Sequence, residues 1–129
     1  MTDDDSLNLP VLYVIDDDSA MLVMYYRKLS DGFRVITFKN GELALAALDT
    51  VRPDIVLCDL CMPWMDGYEV ADRIRCFYPD VPIVIATALH GSEQLVTADA
   101  LGYGFWKKEP GQYQLLKDLL WRSMNSRQS

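Results

Sequence analysis

Four short stretches of this chain end in residues suited to holding a cation or a phosphoryl group. The apolar run Val11-Leu12-Tyr13-Val14-Ile15 stops at Asp16-Asp17-Asp18-Ser19. Ile55-Val56-Leu57-Cys58 stops at Asp59, and Ile83-Val84-Ile85-Ala86 stops at Thr87. Gly104-Phe105-Trp106 runs into Lys107-Lys108. If these ends share one rim, three carboxylates, a hydroxyl and an ammonium meet there. Carboxylates that close repel one another, so one must protonate or a cation must neutralise them. An all-oxygen donor set suits Mg²⁺, which keeps waters and shares its shell with phosphate oxygens. A lysine supplies a compact charge and a threonine a donor for further phosphate oxygens. One carboxylate can then be the nucleophile of an aspartyl phosphate, a chemistry that needs little beyond positioning and charge.

The elements that must position these groups are legible as an alternation. The strand readings are 11–15, 34–38, 55–58, 82–86 and 104–107, each short and rich in β-branched or aromatic residues. Helix readings alternate with them. The first runs from about Ala20 to Ser30, capped by Asp18 or Ser19. The second opens at Asn40-Gly41 and carries Leu43, Leu45 and Leu48. The third spans 67–78, with Val70, Ile74 and Phe77 on one face. The fourth starts at Ser92-Glu93 and stops at Gly102, and the fifth runs from Gln112 to Met124 with Leu115, Leu116, Leu119 and Leu120 inward. Five strands alternating with five helices predict an α/β fold, a parallel sheet with helices on both faces. Such sheets bind ligands outside the carboxyl ends of their strands, which is where the candidate residues lie.

Composition narrows the function further. The chain has 129 residues, 50% apolar and 24% charged, which is one globular domain. Its net charge of −7, with no basic stripe, argues against nucleic acid and anionic membrane as partners. No apolar run nears the roughly 20 residues of a membrane span, and the acidic start Met1-Thr2-Asp3-Asp4-Asp5 lacks the basic and apolar parts of a secretory signal. Three cysteines, an odd number, point to reduced thiols and a cytoplasmic location. Cys58 and Cys61 spell C-x-x-C, but zinc would need a second pair and a redox motif would need a helix at the first cysteine, so Cys58 reads as core. His90 reads as a solvated loop residue. The chain divides into an acidic leader, 1–9, a domain, 10–124, and a polar tail, 125–129.

The segment Asp59-Leu60-Cys61-Met62-Pro63-Trp64-Met65-Asp66-Gly67 matches the D-L-x-M-P-x-M-D-G signature of bacterial response-regulator receiver domains. Val14-Ile15-Asp16-Asp17-Asp18, Asn40-Gly41-Glu42-Leu43-Ala44-Leu45, Ile85-Ala86-Thr87-Ala88 and Gly104-Phe105-Trp106-Lys107-Lys108 resemble other segments of that family in order and spacing. The resemblance implies a flavodoxin-like fold, a three-layer sandwich with strand order 2-1-3-4-5. It implies that Asp59 accepts a phosphoryl group from the phosphohistidine of a sensor histidine kinase or phosphotransfer domain. Asp16, Asp17, Asp59 and the main-chain carbonyl of Cys61 would hold Mg²⁺. Thr87 and Lys108 would bind phosphoryl oxygens, and Phe105 would be the aromatic that reorients. The product is a phosphorelay switch, not an enzyme of metabolism, and the surface of the fourth helix, last strand and last helix would be read by an output partner.

One departure stands out. The family places a proline, joined by a cis bond, directly after the lysine, whereas Glu109 follows Lys108 here and Pro110 comes next. A cis bond before Glu109 would cost about 3–4 kcal/mol, so a trans bond is expected. Neighbouring strand residues face opposite ways, so one of Lys107 and Lys108 enters the site; Lys108 is favoured and Lys107 is the fallback. A degenerate receiver, acting as a constitutive interaction module, is the alternative this departure motivates. A second alternative is a phosphohydrolase, because Asp16-x-Asp18 faintly resembles the D-x-D nucleophile motif of haloacid dehalogenases. The first helix is apolar nearly all round, from Ala20 to Tyr26, and offers a further docking surface for a phosphotransfer partner.

Overall fold

Strands with no polar face must be covered on both sides. The computed structural model of the chain, which describes residues 8–88, 92–109 and 111–126, has that arrangement. β1 (Val11–Ile15), β2 (Arg34–Phe38), β3 (Ile55–Asp59), β4 (Ile83–Thr87) and β5 (Gly104–Lys107) form one sheet. Its order is β2-β1-β3-β4-β5 and every neighbouring pair is parallel, as expected for a flavodoxin-like fold. The helices are α1 (Ser19–Leu29), α2 (Gly41–Ala47), α3 (Gly67–Phe77), α4 (Ser92–Ala100) and α5 (Tyr113–Ser126).

Alternating strand residues feed two separate cores. Tyr13, Ile15, Val56, Cys58, Ile83 and Ile85 pack with Ala44 of α2, Val70, Ala71 and Ile74 of α3 and Ala98 of α4. Leu12, Val14, Ile55, Leu57, Val84 and Ala86 pack with Tyr25 and Leu29 of α1 and Leu116, Leu120 and Met124 of α5. Three helices therefore cover one face and two the other. Caps fix where helices start. The Asp18 carboxylate accepts from Ala20 N–H at 2.9 Å and Met21 N–H at 3.3 Å, that of Asp66 from Glu69 N–H at 3.0 Å, and the Asn40 side-chain oxygen from Leu43 N–H at 2.8 Å.

The structure corrects several details of the sequence reading. Phe77 is 60% exposed rather than part of the inner face of α3. It is the last helical residue; the chain leaves the helix at Tyr78, whose ring turns inward and whose hydroxyl donates to Leu48 O at 3.0 Å. Leu115 is 59% exposed because the buried stripe of α5 is Leu116, Leu120 and Met124, at spacings of four. Leu43 on α2 is also exposed, while Ala44 and Leu48 are buried. β3 and β4 end at Asp59 and Thr87, as read, but β4 begins at Ile83 rather than Pro82. The last helix runs to Ser126, two residues into the stretch expected as a tail. His90 lies outside the described residues, as do Pro110 and the first seven residues of the expected leader.

The two inner and outer leucines of α5 make a direct comparison. Leu116→Ala should cost about 3 kcal/mol of stability, as a buried leucine truncation does. Leu115→Ala should change it by less than about 0.5 kcal/mol. Urea unfolding of both variants checks the pair.

Candidate functional site

Strand register builds the site. Ile15 pairs with Cys58 across β1 and β3, so the residues that follow, Asp16 and Asp59, leave adjacent central strands side by side. Asp16 N–H donates to Phe38 O at 3.0 Å, which ties the end of β1 to β2. One carboxylate oxygen each of Asp16, Asp17 and Asp59 lie within 4.8 Å of one another. Asp16 and Asp59 are buried and Asp17 is exposed.

Lys108 is the cation of this cluster. Its Nζ lies 2.8 Å from Asp16 Oδ2 and 2.9 Å from Asp59 Oδ1. Lys107 instead points outward, 3.5 Å from Glu109 on the surface. The Lys108–Glu109 bond is trans, since the described residues contain no cis peptide bond. The main chain reaches the pocket without the proline because Lys108 N–H donates to Thr87 O at 2.9 Å, extending the β4–β5 ladder by one rung. Thr87 is buried at the end of β4 and pairs in register with Lys107. Phe105 is half-buried and packs on the core under α3 and α4, opposite to Trp106, which packs under α1 and α5. Cys61 is exposed, two residues past Asp59 in the loop to α3.

Asp18, by contrast, has its carboxylate committed to the α1 cap, so it does not supply the second member of a D-x-D pair. Cys58 is buried, its thiol pushed up by burial and by Asp59 and Asp16. All three cysteines are free.

Gly67, read from sequence as a helix start and as the end of the D-L-x-M-P-x-M-D-G segment, also holds the loop against the site. Its N–H donates to Leu60 O at 2.9 Å, and a Cβ there would come within 2.5 Å of Asp59 O. The signal was present, because a glycine following the cap residue Asp66 marks close backbone approach. Gly41 shows the same constraint against α3, where a Cβ would stand 2.4 Å from Val70 Cγ2.

The electrostatics of the cluster are unbalanced. Burial raises the Asp59 carboxyl to about 6, helped by the neighbouring Asp16 and Asp17 charges and opposed by the hydrogen bond and charge of Lys108. Burial pulls the Lys108 ammonium down, but its bonds to Asp16 and Asp59 outweigh this and its pKa lies above the ordinary value. One ammonium faces three carboxylates, so the donor set fits a hard dication that binds through oxygen.

Comparisons with known proteins agree with this geometry. The family model of the response regulator receiver domain matches residues 12–119. The DNA-binding transcriptional regulator NtrC of Salmonella typhimurium is 37% identical over 89 residues, 68% of this chain and 19% of that protein. A protein-glutamate methylesterase/protein-glutamine glutaminase of Rhodospirillum rubrum is 35% identical over 94 residues, 70% of this chain and 25% of that one. The structure of the chemotaxis protein CheY4 of Vibrio cholerae superposes with a TM-score of 0.81 at 28% identity, covering 89% of this chain and 98% of that one. The chain belongs to the response-regulator receiver domains, the phosphorylatable switches of two-component signalling. It spans about a fifth to a quarter of the length of these two curated relatives. No helix among the described residues is long and apolar enough to cross a membrane.

The raised Asp59 carboxyl has a consequence for stability. Between about 4 and about 6 the folded chain holds a proton there that the unfolded chain has lost, so this group's contribution falls as pH rises through that range. In the presence of a chelator, Asp59→Asn should therefore raise Tm at pH 7 and have a smaller effect at pH 4.5. Thermal melts at the two pH values check the sign.

Proposed function

We propose that the chain is a phosphorylation switch in which Asp59 is the acceptor, and the observation that carries it is the contact of Lys108 Nζ with both Asp59 and Asp16. The donor is the phosphohistidine of a sensor histidine kinase or phosphotransfer domain. An Asp59 carboxylate oxygen forms the new O–P bond as the P–N bond to imidazole breaks. The electron pair of that bond goes to the imidazole nitrogen, and the ring, protonated on its other nitrogen, leaves neutral. Asp16, Asp17, Asp59 and the Cys61 carbonyl would hold Mg²⁺, which when bound supplies charge neutralisation for the crowded carboxylates and the phosphoryl oxygens.

The chain's own residues then carry the signal. Lys108 keeps its bond to Asp16 and turns its free donors toward the phosphoryl oxygens, and the Thr87 hydroxyl donates to another. Both residues are joined through Lys108 N–H and Thr87 O, so they move as one unit. Phe105, one residue before the pair at Ala86 and Trp106 in the β4–β5 register, reorients in the half-buried space it occupies. The surface changed in this way is that of α4, β5 and α5, where Leu95, Val96, Leu101 and Leu115 are exposed for an output partner. The phosphoryl group acts as the ligand that favours one of two states. In this reading residues 10–124 form a cytoplasmic signalling unit whose own chemistry is phosphoryl transfer to and from Asp59.

The test is intact-mass spectrometry after incubation with acetyl phosphate. Wild type should gain one phosphoryl group in the presence of Mg²⁺ and none with a chelator, and Asp59→Ala should gain none. A gain that persists in Asp59→Ala would move the acceptor elsewhere. No gain in wild type, together with no binding of beryllofluoride and Mg²⁺, would favour a constitutive interaction module.

A further inference from the structure

Beneath the acidic cluster lies a buried phenol that the proposed phosphoryl transfer does not use. Asp16 continues the strand phase of Leu12 and Val14, Asp59 that of Ile55 and Leu57, and Lys108 that of Trp106. All three side chains therefore stand on the face of the sheet that α1 and α5 cover. The layer under them is aromatic. Tyr25 of α1 meets the rings of Trp106 and Tyr113 edge-on, with centroids 6.1 Å and 6.2 Å away. Tyr25 is only 1% exposed, and its hydroxyl has no hydrogen-bond partner among the described residues. Burying a hydroxyl without a partner costs stability, so one that persists points to a partner outside the resting arrangement.

The direction of α1 aims this side chain at the site. Helical side chains lean toward the helix N-terminus, and α1 starts after its cap Asp18, just past the end of β1. Burial, and then the Asp16 charge, push the Tyr25 phenol well up, so it stays a neutral donor. Asp16 has room for another donor. Its Oδ1 accepts Asp18 N–H at 2.9 Å and its Oδ2 accepts Lys108 Nζ at 2.8 Å, while each oxygen has two lone pairs. Lys108 has room to shift, because it borders a cleft of about 210 Å³ that Met21, Met24, Trp106 and Tyr113 also line. We propose that Tyr25 is a positioning residue for the phosphorylated state: as phosphoryl oxygens draw the Lys108 ammonium toward them, the Tyr25 hydroxyl donates to Asp16 Oδ2 beside it and holds that carboxylate in place. The resting protein thus carries an unmet hydrogen bond that phosphorylation satisfies. This inference rests on Asp59 being the phosphoryl acceptor.

The test is Tyr25→Phe, which keeps the ring and its aromatic contacts and removes only the hydroxyl. Two quantities are measured on the full chain, and they should move in opposite senses. The first is the Tm of the resting protein in a chelator. It should rise, because an unpartnered buried hydroxyl has gone. The second is the affinity for beryllofluoride in saturating Mg²⁺, read by ¹⁹F NMR titration, with beryllofluoride standing in for the phosphoryl group. It should weaken about tenfold, as loss of one hydrogen bond to a charged group predicts. A beryllofluoride affinity within about twofold of wild type would overturn the proposal, whatever the Tm does. A fall in resting Tm would show the hydroxyl already bonded before phosphorylation and would overturn it too. Wild type that binds no beryllofluoride would overturn the acceptor assignment itself, and this inference with it.

Discussion

The site is governed by a charge mismatch: one partly buried ammonium, that of Lys108, serves carboxylates that outnumber it. A fold normally avoids placing acidic side chains where water is scarce and partners are few. This one puts them at the ends of its two central strands. Burial and the neighbouring Asp16 and Asp17 charges raise the Asp59 carboxyl to about 6, the imbalance that the proposed cation would relieve. Stability is given up at the site and recovered in the two cores on either face of the sheet.

The rest of the architecture keeps that mismatch in place. Pairing of Ile15 with Cys58 forces Asp16 and Asp59 to emerge together. The added rung from Lys108 N–H to Thr87 O fixes where the ammonium enters. Gly67 lets the loop after Asp59 lie against the strand end where any side chain would collide. Phe105 and Trp106 then send neighbouring side chains of β5 into opposite cores, so a shift at the strand end reaches both layers of helices.

Much of this was legible in the sequence because it is carried by local patterns. Apolar runs that stop at Asp16, Asp59 and Thr87 gave both the strands and the site, and the D-L-x-M-P-x-M-D-G segment gave the family. Helix faces were less legible where periodicity alone was used. Phe77 keeps the angular spacing of an inner residue but sits at the end of α3, where the chain turns and Tyr78 takes its place. The choice between Lys107 and Lys108 depended on strand phase, which the altered residue after Lys108 obscured and the Thr87 hydrogen bond resolved. The left-handed backbone of Trp64 (φ 69°), in the loop between β3 and α3, had no sequence signal, because tryptophan carries no preference for that conformation.

The charge mismatch is tested most directly by ¹³C NMR titration of the Asp59 carboxyl, first with a chelator and then with saturating Mg²⁺. The account predicts a midpoint near about 6 in the first titration and a lower one in the second, as the cation takes up the excess charge. A midpoint near the ordinary value of about 4, unmoved by Mg²⁺, would contradict it.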